Sequence, residues 1–174
     1  IDEVIAFGEK ASVELERMER STEEIARLQK EVQTIKSGLT SQAQTLTKKR
    51  GSAARELEKK VEAELTHLGM KKTVFTVKIT QEAGDDTLDN HRLGPRGADR
   101  VEFLISPNPG EEPKPLAKTA SGGELSRIML ALKTILVEGD PIPTLVFDEV
   151  DAGIGGAVAE GVGKKLKKIA SRRQ

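Results

Sequence analysis

The chain has 174 residues, with Lys+Arg 28 against Asp+Glu 28, so its bulk charge selects neither a polyanionic nor a polycationic partner. It contains no cysteine, which excludes disulfides and thiolate metal sites, and its two histidines, His67 and His91, have no partner at metal-ligand spacing. An aromatic content of 2% argues against modules that stack bases on aromatic rings. No apolar run approaches the roughly 20 residues needed to span a bilayer. The chain starts without Met or a secretory signal, so it is expected to be a soluble intracellular piece of something longer.

The N-terminal part is charged and almost free of Gly and Pro. Ile25, Leu28, Val32, Ile35 and Leu39 are spaced three, four, three, four. Ala11 and Met18 extend that phase backwards, while Leu46, Ala53 and Leu57 extend it forwards. Val61, Leu65 and Leu68 follow after a small phase slip. This pattern predicts a coiled-coil seam on a long helix over residues 1–69, about 100 Å long at ~1.5 Å per residue if unbroken. Such a helix needs a partner helix to cover its stripe. Ser21-Thr22-Glu23-Glu24 matches a capping box, so a break near Ser21 is one reading. A hairpin tip at Gly38 or Gly51 is another. Gly69 suits a helix stop.

The period then changes. Thr73 to Thr80 alternates at period two and predicts a strand, and Arg100 to Ser106 predicts a second, antiparallel to it. Gln81 to Ala98 is polar loop, and Pro107 to Pro115 is a Pro-rich connection. A helix is expected from about Gly122 to Val137, with Leu125, Ile128, Leu132 and Ile135 on one face. Thr144 to Phe147 is a short apolar run ending in acid, as expected of a strand buried on both faces. A last helix is expected over Gly156 to Ala170. Strand and helix alternation suggests an α/β core over residues 70–174.

Three segments carry chemistry. Asp148 and Glu149 follow the apolar run, which would put them at the carboxyl edge of a sheet, where α/β folds bind ligands. An Asp there can hold Mg²⁺, and the adjacent Glu can orient or deprotonate a water. Two ordinary surface acids are the plainer alternative. Ser121-Gly122-Gly123-Glu124-Leu125-Ser126-Arg127 opens a helix and can make an anion site from free N–H groups, although Ser121 to Glu124 is also a capping box. Asp151-Ala152-Gly153-Ile154-Gly155-Gly156 is either a flexible loop that meets another subunit or a plain turn. No Gly-x-x-x-x-Gly-Lys-Ser/Thr occurs; Gly163-Lys164-Lys165 lacks the first Gly and the hydroxyl residue.

In this order, with Gly97-Ala98-Asp99-Arg100-Val101-Glu102-Phe103, Pro107-Asn108-Pro109-Gly110 and Pro115-Leu116-Ala117-Lys118 upstream, the segments resemble the head of an SMC-type ATPase. The resemblance implies an ABC-ATPase head portion, an incomplete P-loop NTPase fold, preceded by a long coiled-coil helix. It implies ATP and Mg²⁺ as ligands, with Asp148 on the Mg²⁺ (metal) and Glu149 as the catalytic residue activating water. Ser121, Gly122 and Gly123 would meet the γ-phosphate of ATP on a second head, and Asp151 would lie at that dimer interface. It further implies a homodimer through ATP-bound heads, non-sequence-specific DNA contact during double-strand-break repair, and a cytoplasmic, nucleoid-associated location without a membrane.

The pattern's P-loop half, its antiparallel partner helix and its switch histidine are not in this sequence, and His67 and His91 precede Asp148. The chain by itself is therefore not expected to hydrolyse ATP. Lys48, Lys49, Arg50, Arg55, Lys59 and Lys60, and Lys164, Lys165, Lys167, Lys168, Arg172 and Arg173, are candidates for phosphate contacts, against the alternative of solvated helix faces. A different SMC or transporter-type ABC head, and a non-enzymatic coiled-coil scaffold, are the competing functional readings.

Overall fold

The computed structural model describes residues 1–84, 91–108, 110–118 and 121–174. Pro109 and the middle of the polar loop after Gln81 lie outside the described residues. Helix α1 covers Asp2–His67, 66 residues without interruption. The expected alternatives of a restart at Ser21 or a hairpin at Gly38 or Gly51 are not adopted. Thr22 instead donates its hydroxyl to the Met18 carbonyl at 2.9 Å, the back-bond of a helix interior rather than a cap. The helix ends at Gly69, whose φ of +80° turns the chain left-handed. The Met70 N–H reaches the Leu65 carbonyl at 2.9 Å and the Gly69 N–H the Thr66 carbonyl at 3.4 Å, which is a Schellman stop.

The described residues form two compact units. The first comprises Ile1–Leu46 with Ala83–Ala98. Along its helix the heptad stripe is open: Ile25, Leu28, Val32, Ile35 and Leu39 are all at least 40% exposed. Its second segment makes short antiparallel bridges, Ala83 with His91 and Gly94 with Gly97.

The second unit comprises Thr47–Glu82 with Asp99–Gln174. Here the same helix turns its apolar face into a core. Val61, Leu65 and Leu68 are fully buried, together with Phe75, Ile105, Ile128 and Leu130. The phase slip expected before Val61 comes earlier in the structure: Ala54 is already buried, while Ala53, the heptad position, is exposed.

Strands β1 (Val74–Gln81) and β2 (Asp99–Ser106) pair antiparallel, from Val74 opposite Ser106 to Gln81 opposite Asp99. A two-residue β3 (Lys114–Pro115) lies on the far side of β2, inside the connection that reads as irregular, and a 3₁₀ turn follows at Leu116–Lys118. An edge position tolerates Pro115, which has no N–H to donate. The free edge of β1 is covered by α1. Glu58 accepts the Val77 N–H at 2.8 Å and Glu62 accepts the Phe75 N–H at 3.2 Å. Four helical residues rise about 6 Å and two strand residues about 6.7 Å, so one glutamate per turn meets every second N–H. At the other end, the Asp99 carboxylate accepts from Thr47 (2.7 Å), Arg50 (2.9 Å) and Gln81 (3.0 Å) and is shielded from solvent.

Helices α2 (Gly122–Leu136) and α3 (Gly156–Ala170) pack together and complete the core. Gly161 lets α3 cross the end of α1 closely; a β-carbon there would stand 2.7 Å from the His67 carbonyl oxygen.

The expected strand at Thr144–Phe147 is not formed. Thr144 is exposed and Val146 is 90% exposed. A parallel strand needs ladder partners and helices over its faces. The described residues supply one rung pair only: the Leu145 N–H to the Gln174 carbonyl at 2.7 Å, and the Gln174 N–H to the Pro143 carbonyl at 3.0 Å. The sheet that does form is the small antiparallel one, so the observed architecture is a long helix, that sheet and two further helices.

Candidate functional site

Ser121 sits at the N-cap of α2 in extended conformation, and its Oγ accepts the Glu124 N–H at 3.4 Å. That bond is at the limit of capping geometry, so the hydroxyl is only weakly engaged locally. Gly122 follows, exposed, and Gly123 is buried.

The segment from Asp148 to Ala152 folds over this helix end. Glu149 has a φ of 53°, the left-handed region that a side chain rarely adopts. Its carboxylate lies over Gly122, where an added β-carbon would stand 2.2 Å from Oε2. At Gly123 the same construction comes 3.1 Å from the Glu149 carbonyl oxygen and 3.3 Å from Cβ of Ala152. Gly123 is therefore the position where the loop's backbone comes close, while at Gly122 only the tip of the Glu149 side chain would have to move. The Ser126 hydroxyl donates to the Asp148 carbonyl at 2.5 Å, and the Arg127 guanidinium donates through Nη1 to the Ala152 carbonyl at 3.1 Å. Val150 is buried and anchors the loop from below. The Ile154 N–H closes a turn on the Asp151 carbonyl at 3.3 Å, and Gly153, with φ of 71°, permits it.

The structure thus brings Glu149 against Gly122 and Gly123, with Asp148 and Asp151 on the same loop. The side chains of Ser121, Asp148, Glu149 and Asp151 are all exposed. Among the described residues no cluster of three or more His, Asp or Glu forms a ready cation cage. A single exposed carboxylate at Asp148 suits Mg²⁺ only where phosphate and water oxygens fill the other positions, which is how that ion is commonly held. Ser126 and Arg127, which close the glycine-rich segment singled out in the sequence, carry the loop contacts. Gly123 and Arg127, four apart, share a helix face, and that spacing is a further signal.

Several basic candidates are engaged within the protein. Lys164 pairs with Glu160 at 2.7 Å, Lys165 with Glu64, Lys60 with Glu56 at 2.6 Å and Arg172 with Glu138 at 3.0 Å. Arg50 serves Asp99, and Arg173 donates to the carbonyls of Val137 and Asp140. Lys133 and the Ile142 N–H hold the Asp140 carboxyl below its ordinary range. No helix is long and apolar enough to cross a membrane among the described residues.

No family model matches the chain. Curated relatives do. DNA repair protein RecN of Treponema pallidum is 40% identical over 174 residues, covering 100% of this chain and 30% of that protein. RecN of Streptomyces coelicolor is 41% identical over 144 residues, covering 80% and 25%. RecN of Synechocystis is 37% identical over 175 residues, covering 100% and 28%. One solved structure, of an SmcHead bound to the C-winged helix domain of ScpA, aligns with 70% of this chain and 33% of its own at a TM-score of 0.39 and 20% identity. That likeness is too loose to fix the fold.

The sequence matches, running along the whole chain, place it with a class of proteins named for DNA repair. Its sequence is that of a RecN-like segment, and it spans about 30% of the length of curated relatives it matches.

Proposed function

We propose that the chain is the coiled-coil and signature-bearing part of an SMC-like, ABC-type ATPase that acts on DNA in break repair and recombination. The observation that carries this reading is the match to RecN relatives along the whole chain, 40% identical over 174 residues in one case, with the Ser121–Arg127 and Asp148–Asp151 segments in the order that an ABC head has. Residues 1–69 are the arm and residues 70–174 the head lobe in this reading.

Each residue has a role within it. Asp148 would hold the Mg²⁺ of ATP bound to its own head, where such an ion would supply positive charge against the phosphates. Glu149 accepts a proton from the attacking water or orients it. Ser121 and the N–H groups of Gly122 and Gly123 donate to the γ-phosphate of ATP on a second copy, where the positive end of α2 favours an anion. Asp151 faces that second copy. A P-loop, supplied by a longer protein, is needed for hydrolysis. DNA is the polymer partner, bound through phosphates, and the nucleoid is the location that follows.

The test joins this segment to a P-loop half and replaces Glu149 with Gln. Hydrolysis should fall by about 10² or more while ATP still binds. Unchanged turnover would sink the assignment. A scaffold without enzymatic function predicts no nucleotide binding by the joined protein at all.

A further inference from the structure

The Asp148–Ala152 loop is tied to α2 by two polar side chains as well as by Val150. Ser126 holds the carbonyl of Asp148 and Arg127 that of Ala152, so the two bonds bracket Glu149 and Asp151. Arg127 is 9% exposed, and its Nε has no hydrogen-bond partner among the described residues. Burying a cation with an unmade bond is unfavourable, and an apolar side chain of similar volume would fill the space without that penalty. What an apolar residue lacks is a rigid donor that reaches across to the loop. Gly123, one turn before, lies beside it and admits the loop: a β-carbon there would stand 3.1 Å from the Glu149 carbonyl oxygen and 3.3 Å from Cβ of Ala152.

We infer that Arg127 is a positioning residue that locks the loop carrying Asp148, Glu149 and Asp151 to the helix end carrying Ser121, Gly122 and Gly123. The surface for a head's own nucleotide and the surface for its neighbour's then move as one piece, and Ser126 is the second tie. The geometry stands by itself; its catalytic consequence rests on the function proposed above.

The experiment compares Arg127→Met and Arg127→Lys in this 174-residue chain by amide hydrogen exchange. The reporters are the Ala152 and Ile154 amides in the loop and the Val77 and Leu104 amides in the sheet. Arg127→Met should speed loop exchange about tenfold and leave the sheet nearly unchanged, and Arg127→Lys, which keeps a donor, should recover most of the protection. Equal acceleration in loop and sheet, no acceleration, or a Lys variant behaving like Met would overturn the inference.

In the protein joined to a P-loop half, Arg127→Met should lower kcat about tenfold with KM for ATP little changed. Wild-type kcat in that variant would also overturn it. If instead Glu149→Gln leaves hydrolysis intact, the functional reading fails, and the exchange result still decides the role of Arg127.

Discussion

The carboxylate of Glu149 rests on the backbone of Gly122, at the spot a side chain would fill: an added β-carbon would lie 2.2 Å from Oε2. Gly122→Ala must therefore move the carboxylate. The obstructing atom is the tip of a flexible side chain, so stability should change by less than about 1 kcal/mol, while the Glu149 carboxyl resonance shifts in an NMR spectrum. Gly161→Ala is the contrasting case, because its β-carbon meets the His67 carbonyl oxygen at 2.7 Å and no rotamer change relieves a backbone contact. Overpacking of about 1–3 kcal/mol exceeds the ~1 kcal/mol that Ala gains over Gly in a helix, so net destabilisation is expected in thermal unfolding.

The pairing of Glu58 and Glu62 with the edge of β1 is open to direct test. Replacing either by Ala leaves the Val77 or Phe75 N–H without its acceptor and should cost about 1–3 kcal/mol each by urea denaturation. The Gln variants keep an acceptor oxygen and should cost less. Equal losses for Ala and Gln would show that charge, not the hydrogen bond, matters there.

Asp99 sets an acid limit. Burial by itself raises its carboxyl, but hydrogen bonds from Gln81, Thr47 and Arg50, together with the Arg50 charge, outweigh that and hold it below the ordinary range. A depressed folded value contributes stability that is present above the unfolded value of about 3.9 and is lost as pH falls through the folded value. Stability should therefore drop below about pH 4, and Asp99→Asn should flatten that part of the curve while lowering stability at neutral pH.

The open stripe on α1 predicts association. Ile25, Leu28, Val32, Ile35 and Leu39 remain at least 40% exposed on a helix with heptad spacing. Sedimentation of the chain should show a concentration-dependent oligomer, and Leu28→Lys with Ile35→Lys should shift it to monomer. A wild-type chain that stays monomeric at all concentrations would refute this.

Local periodicity made much of the fold legible. The long helix, the antiparallel pair of strands and the two later helices follow from spacing in the sequence, and Gly69 stops α1 as its position suggests. The capping box at Ser21 misled because Ser and Glu near each other also occur inside helices, where nothing forces the chain to break. The apolar run Thr144–Phe147 misled because a buried strand is defined by its neighbours, and one pair of backbone bonds to Gln174 does not make a sheet. Asp99 and the pair Glu58 and Glu62 were invisible as structural ties, since their partners lie 13 to 52 residues away and include backbone N–H groups, which no residue type announces. The site residues were readable as types, but the clasp by Ser126 and Arg127 was not.

Val146 stands almost wholly in solvent between Leu145 and Phe147, beside a single pair of backbone bonds to Gln174. Such a segment is a template for unwanted pairing between molecules. Handling the chain by itself then becomes a matter of colloidal stability: at high concentration it should self-associate through this segment more readily than a variant with a charge at Val146.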